Sequence, residues 1–209
     1  NDLVGIGAEA LTRNTTGSSN VAIGKEALSR NTTASNNTAV GYQASISNTT
    51  GSNNASFGRQ ALGGNTTGSQ NTALGRSALQ QSGTASENTA VGYRSLYTTN
   101  SGGANTALGH SAMYYTTGAN NVAVGQGSMY LNTTGTLNVA VGNAALGVNT
   151  TGASNTALGV YALKSNTTAP NNTAVGYQAL KANTTGDTNV AIGKDSMLAN
   201  TTGTNNTAL

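Results

Sequence analysis

The sequence predicts an all-β protein, a parallel β-solenoid (β-roll) of about twelve 17-residue coils. Three observations predict it. The phrase NTTGSSNVAIGKEAL at 14–28 returns, little altered, to the end of the chain, and a fixed short period marks a repeat architecture. The glycine that closes each NVAIG-like phrase falls at Gly7, Gly24, Gly41, Gly58, Gly75, Gly92, Gly109, Gly125, Gly142, Gly159, Gly176 and Gly193, every step being 17 residues except the 16 between Gly109 and Gly125. The apolar phrases inside each repeat are too short for a helix, which needs about 12 residues, and Gly and Asn bound them, as turns require. Helical TPR, ankyrin and HEAT repeats are about twice as long and are excluded.

Within one repeat the first phrase is Asn-(Thr/Val)-Ala-(Val/Ile/Leu)-Gly, as at 20–24 and 138–142, and reads as a strand. The second, Ala-Leu, follows three and four residues after the glycine, as in Ala27-Leu28 and Ala162-Leu163, and reads as a second short strand. An Asn-Thr-Thr-Gly loop completes the coil and reads as a turn, because Asn and Gly tolerate positive φ. The one short repeat lost its residue there: it reads Tyr115-Thr116-Thr117-Gly118, and the register recovers by Asn121. The chain begins and ends inside a repeat with no capping segment, which solenoids need. Residues 1–209 are therefore expected to be a single array, a window of a longer fibre protein.

Stacking puts equivalent residues in columns about 4.8 Å apart, for a rod of roughly 55–60 Å. One column is large and aliphatic, running Ile23, Val40, Phe57, Leu74 through to Ile192. Its neighbour is tiny: Ala22, Ala39, Ser56, Ala73 through to Ala191. Adjacent strand residues point to opposite faces, so two restricted columns imply two covered faces, one by the coil interior and one by something outside. On one reading the aliphatic residue and a Leu or Met form a thin core, and the small column lets neighbouring rods approach. On the other, the alanines fit a tight interior. The asparagines that open each strand, Asn20 to Asn206, form a column whose amides can bond coil to coil.

The composition narrows the role. Only 7% of residues are charged, Pro170 is the sole proline and the net charge is +3, against disorder, which goes with high net charge and abundant proline. Nine Lys and Arg spread over the whole length are too thin for a surface that tracks phosphates, so no nucleic-acid partner is expected. There is no cysteine, no apolar run of the 18 or so residues that span a bilayer and no signal-peptide pattern.

The phrase Asn-x-Ala-(Val/Ile)-Gly-x-x-Ala, at 20–27 and 172–179, resembles the head repeats of trimeric autotransporter adhesins. The wording NTAVGYQALKANTTG at 172–186 is similar to repeats of phage and prophage tail-fibre proteins and related bacterial surface proteins. The resemblance covers essentially the whole chain. It implies a left-handed β-roll assembled as a homotrimer in an extracellular, cell-surface or virion-borne fibre, whose head contacts host surfaces. The Asn-Thr-Thr-Gly loop makes this repeat longer than the usual adhesin head repeat.

Catalysis finds few candidates. His110 is the only histidine, in a variable turn position, so one chain cannot assemble a histidine metal cluster or triad. Glu9 and Glu26 share a column beside Lys25 and read as a surface pair. Glycine-rich stretches lack the spacing and lysine of a phosphate loop. No enzyme activity and no cofactor or metal are expected.

Tyrosine is more suggestive. Tyr97, Tyr114 and Tyr130 share a column, with Tyr93 and Tyr115 near them. They are candidate contacts for a cell-surface glycan or protein receptor, or an aromatic ladder that stabilises the rungs. Tyr42, Tyr93 and Tyr177 recur after the glycine as turn-flanking residues. Asn-Thr-Thr also matches the N-glycosylation pattern nine times, from Asn14 to Asn200, and reads either as a sugar stripe or as turns. The expected function is a structural and adhesive fibre segment, a rigid spacer with surface-binding turns. The alternatives are a self-assembling extracellular filament and, from the repeated threonine, an ice-binding solenoid.

Overall fold

A computed structural model describes residues 2–209. They form two compact units, 2–104 and 105–209. The first holds β1 (Val4–Ile6), β2 (Val21–Ile23), β3 (Thr38–Val40), β4 (Ala55–Phe57), β5 (Thr72–Leu74) and β6 (Thr89–Val91). Within this unit, from β1 to β6, neighbours in the chain pair in parallel and in strict register, so that Ala22 lies beside Ala39 and Ile23 beside Val40. The second holds β7 (Thr106–Leu108), β8 (Val122–Val124), β9 (Val139–Val141), β10 (Thr156–Leu158), β11 (Thr173–Val175), β12 (Val190–Ile192) and β13 (Thr207–Ala208), paired likewise. Each unit is a parallel β-solenoid, and no helix occurs among the described residues. The 16-residue coil keeps its place: Ala107 pairs with Ala123.

Three expectations are corrected. Each coil has one three-residue strand, not two. The Ala-Leu phrase lies in a turn, where Leu28 adopts φ 48°, and its equivalents Leu62, Leu146 and Leu180 adopt φ 55°, 51° and 50°. Two further left-handed residues recur in each coil, such as Ser19 (φ 54°) and Glu26 (φ 60°). That region is uncommon for a residue with a side chain and costs about 1–3 kcal/mol. Burial compensates, since Leu28, Leu62, Leu146 and Leu180 are fully enclosed and each gains about 1.5–3 kcal/mol by it.

The second correction concerns the faces. The tiny column points inward: Ala22, Ala39, Ala73 and Ala90 in the first unit, and Ala107, Ala123, Ala140 and Ala157 in the second, are fully buried. The aliphatic column points outward, with Ile23 37%, Phe57 41%, Leu74 48%, Leu108 46%, Val141 39% and Ile192 42% exposed. The alanines fit a tight interior, as the second of the two readings held. A typical coil interior holds two alanines, one Leu or Met and two asparagines. Where Ser45 replaces the leucine, Ser56 replaces a neighbouring alanine and the two hydroxyls meet at 2.9 Å.

Asparagine ladders join the coils. The Asn20 side-chain oxygen accepts the Asn37 backbone N–H at 2.9 Å, while its Nδ2 donates to the Ala34 carbonyl at 2.8 Å. Asn121, Asn138, Asn155 and Asn172 repeat the first bond at 2.9–3.0 Å. A second ladder runs through the Asn-Thr-Thr-Gly loops: Asn31 Nδ2 donates to Asn14 Oδ1 at 2.7 Å, and Asn149 Nδ2 to Asn132 Oδ1 at 2.7 Å. The Asn and Gly of these loops are not among the left-handed residues, contrary to expectation. Gly17 is needed for space, because a Cβ there would strike the Ala34 carbonyl oxygen and come within 2.6 Å of Asn14 Oδ1. Gly24 is needed for both reasons: its φ is +130° and a Cβ would lie 2.5 Å from the Gly41 oxygen.

Candidate ligand-contact surface

The five tyrosines singled out in the sequence fall into two groups, one in each unit. The coil geometry explains why they surface. A buried left-handed residue occupies the fourth place after the glycine, Leu96 in the first unit and Met113 and Met129 in the second. The next residue emerges, and there stand Tyr97, Tyr114 and Tyr130.

In the second unit Tyr114 and Tyr130 stack with ring centroids 5.1 Å apart and 22° between planes. Tyr115 meets Tyr114 edge-on at 4.5 Å and Tyr130 at 6.1 Å. This is an aromatic ladder, and such contacts contribute about 0.5–1.5 kcal/mol beyond area burial. It is also a surface, since Tyr115 and Tyr130 remain exposed.

The first-unit pair is built differently. Arg94 places its guanidinium carbon 5.1 Å from the Tyr93 ring and 5.7 Å from the Tyr97 ring. Arg76 lies 5.7 Å from Tyr93, and Arg59 lies 5.7 Å from Tyr42. Here the rings meet cations rather than one another. The arginines were missed in the sequence, where they read as solvated turn residues. For Arg59 and Arg76 the available signal was their column, the residue after the glycine, which runs Lys25, Tyr42, Arg59, Arg76, Tyr93 over five coils; Arg94 stands one place later.

No family model, curated protein or solved structure matches this chain.

Other surfaces hold less. His110 is exposed in its turn. Glu26 pairs with Lys25 at 3.7 Å and accepts a bond from Gln43 Nε2 at 2.6 Å, and it shares a groove with Glu9, Arg13 and Arg30. Among the described residues no group of three or more His, Cys, Asp or Glu could hold a metal ion, and no helix is long and apolar enough to cross a membrane. The loop threonines are engaged: Thr32 Oγ1 donates to the Thr49 carbonyl at 3.0 Å and Thr150 Oγ1 to the Thr167 carbonyl at 2.9 Å. Seven of the nine Asn-Thr-Thr asparagines, Asn31, Asn48, Asn65, Asn132, Asn149, Asn166 and Asn183, are buried in the loop ladder. Their amide nitrogens cannot carry a sugar in the folded chain, so these loops act as structural turns.

Proposed function

We propose that the chain is a structural and adhesive segment of an extracellular, cell-surface or virion-borne fibre. It serves as a rigid spacer, and copies of the same chain cover its aliphatic column. One observation carries this reading: the large aliphatic column faces outward in coil after coil of both units, while the interior is filled by alanine. Single exposed aliphatic residues are ordinary, but contiguous apolar surface marks an interaction site. Each strand presents two outward residues, Thr38 and Val40 for example, so the apolar stripe lies on a regular sheet face that an identical face can meet. The resemblance to trimeric adhesin heads fixes the expected copy number at three. The exposed tyrosines and arginines are then the contacts left for a surface glycan or protein receptor.

Native mass measurement of the 20.7 kDa chain tests this. A discrete trimer supports the fibre segment, and a single chain at micromolar concentration overturns it. Open-ended polymer transfers the assignment to the self-assembling filament. Thermal hysteresis would instead favour an ice-binding solenoid, to which the loop threonines lend little because backbone carbonyls hold their hydroxyls.

A further inference from the structure

We infer that the arginine–tyrosine stripe of the first unit binds an acidic polysaccharide, a sugar chain bearing carboxylate or sulfate groups. The inference rests on the adhesive reading above and names the class of ligand. The stripe comprises Tyr42, Arg59, Arg76, Tyr93, Arg94 and Tyr97. Parallel register sets successive coils side by side at a spacing of about 4.8 Å. Arg59 and Arg76 therefore follow one another down one face, and Arg94 joins them in the next coil. Each is held against a phenol ring, Arg59 at 5.7 Å from Tyr42, Arg76 at 5.7 Å from Tyr93, and Arg94 at 5.1 Å from Tyr93. Stacking uses the flat face of a guanidinium and leaves its N–H edge to take an oxyanion, often through two bonds.

Among the described residues no carboxylate forms an ion pair with these arginines. The two ion pairs among the described residues, Lys25 with Glu26 and Lys194 with Asp195, involve none of these arginines. The one acid between residues 42 and 97 is Glu87, which precedes β6, whereas Tyr93 and Arg94 follow it. The Arg94 Nε is buried and has no hydrogen-bond acceptor. Two cations in one column and a third in the adjoining column thus stand without a carboxylate partner. They are too sparse for nucleic acid, whose duplex carries a charge about every 1.7 Å. A linear sugar chain fits them better, since one sugar residue of an extended chain advances about as far as one coil, and its hydroxyls suit the tyrosine edges.

The test is surface plasmon resonance of the folded chain over immobilised polyuronate, heparin and neutral dextran. Binding to either acidic polymer but not to dextran is expected, weakening as salt rises. R76Q/R94Q should weaken it on the order of tenfold or more. R13Q/R30Q removes the same charge from the Glu9–Glu26 groove and should leave binding within about twofold, and both variants should keep the parent circular dichroism spectrum and melting temperature. Equal loss in the two variants, equal binding to dextran, or no binding to either acidic polymer overturns the inference. Binding confined to an acidic peptide overturns it too. A chain that binds the acidic polymer but weighs as a monomer would sink the fibre reading and leave this ligand standing. A trimer that ignores both polymers would do the reverse.

Discussion

At the scale of single residues, buried amides join one coil to the next. Asn149 illustrates this. Its Nδ2 donates to Asn132 Oδ1 at 2.7 Å and to the Gly152 carbonyl at 2.8 Å, and its oxygen accepts from Asn166 Nδ2 at 3.0 Å. Removing it orphans partners on both sides, so Asn149→Ala should lower local stability by about 2–4 kcal/mol. Lost hydrogen-exchange protection at Asn166 and Thr167 would report it. The ladder lapses over three coils, where Ser82, Thr99 and Thr116 take asparagine places. Ser82 stands where an asparagine would bond Asn65, and both Asn65 Oδ1 and Ser82 Oγ are buried without partners. Ser82→Asn should therefore stabilise the first unit by about 1–2 kcal/mol, seen as a higher denaturation midpoint.

At the scale of the element, the coil is one short strand and a set of corners, and the corners are more exacting than the strand. Gly152→Ala would bring a Cβ to 2.6 Å from the Ala169 carbonyl oxygen, whereas at Gly147 the nearest oxygen would be 3.1 Å away. The first substitution should cost over about 3 kcal/mol and the second under about 1, compared by urea denaturation of the two variants. Much of this element was legible. The period, the strand at 20–24 and the asparagine column follow from spacing alone. The misreading of Ala27-Leu28 as a strand came from composition: a leucine held at φ 48° is outside ordinary propensity, and only neighbouring coils over-determine it. The inversion of the two faces had a readable clue. The inner column tolerates only Ala, Gly and Ser, as at Gly5 and Ser56, while the residue sharing the aliphatic face is often threonine. Steric invariance, rather than hydrophobicity, marked the inside. The paired tyrosines were legible as a column, but their partners were not, because guanidinium stacking depends on side-chain direction.

At the scale of the whole molecule, the outward aliphatic column decides whether the chain stands alone. Val141→Asp together with Leu158→Asp alters two exposed or half-exposed positions of β9 and β10 and no buried one. On the fibre reading proposed above, the pair should leave the circular dichroism spectrum unchanged and yield single chains in sedimentation where the parent sediments as a trimer. Leu146→Asp, a charge placed in a fully buried site, should instead abolish the fold. A charged pair that sediments like the parent would mean that this face meets nothing.

The buried loop asparagines also bear on where such a protein can be made. A eukaryotic secretory pathway attaches oligosaccharide to Asn-Thr-Thr as the chain emerges, before any coil has closed, and a nitrogen so occupied keeps one N–H where the ladder uses two, one to the adjoining asparagine oxygen and one to the loop carbonyl. Bacterial expression would yield the native ladder, while a mammalian secretory line would yield swollen, misfolded product unless each Asn-Thr-Thr were recoded to Asn-Thr-Val. The same amide that clips one layer to the next thereby restricts which cells can host the gene.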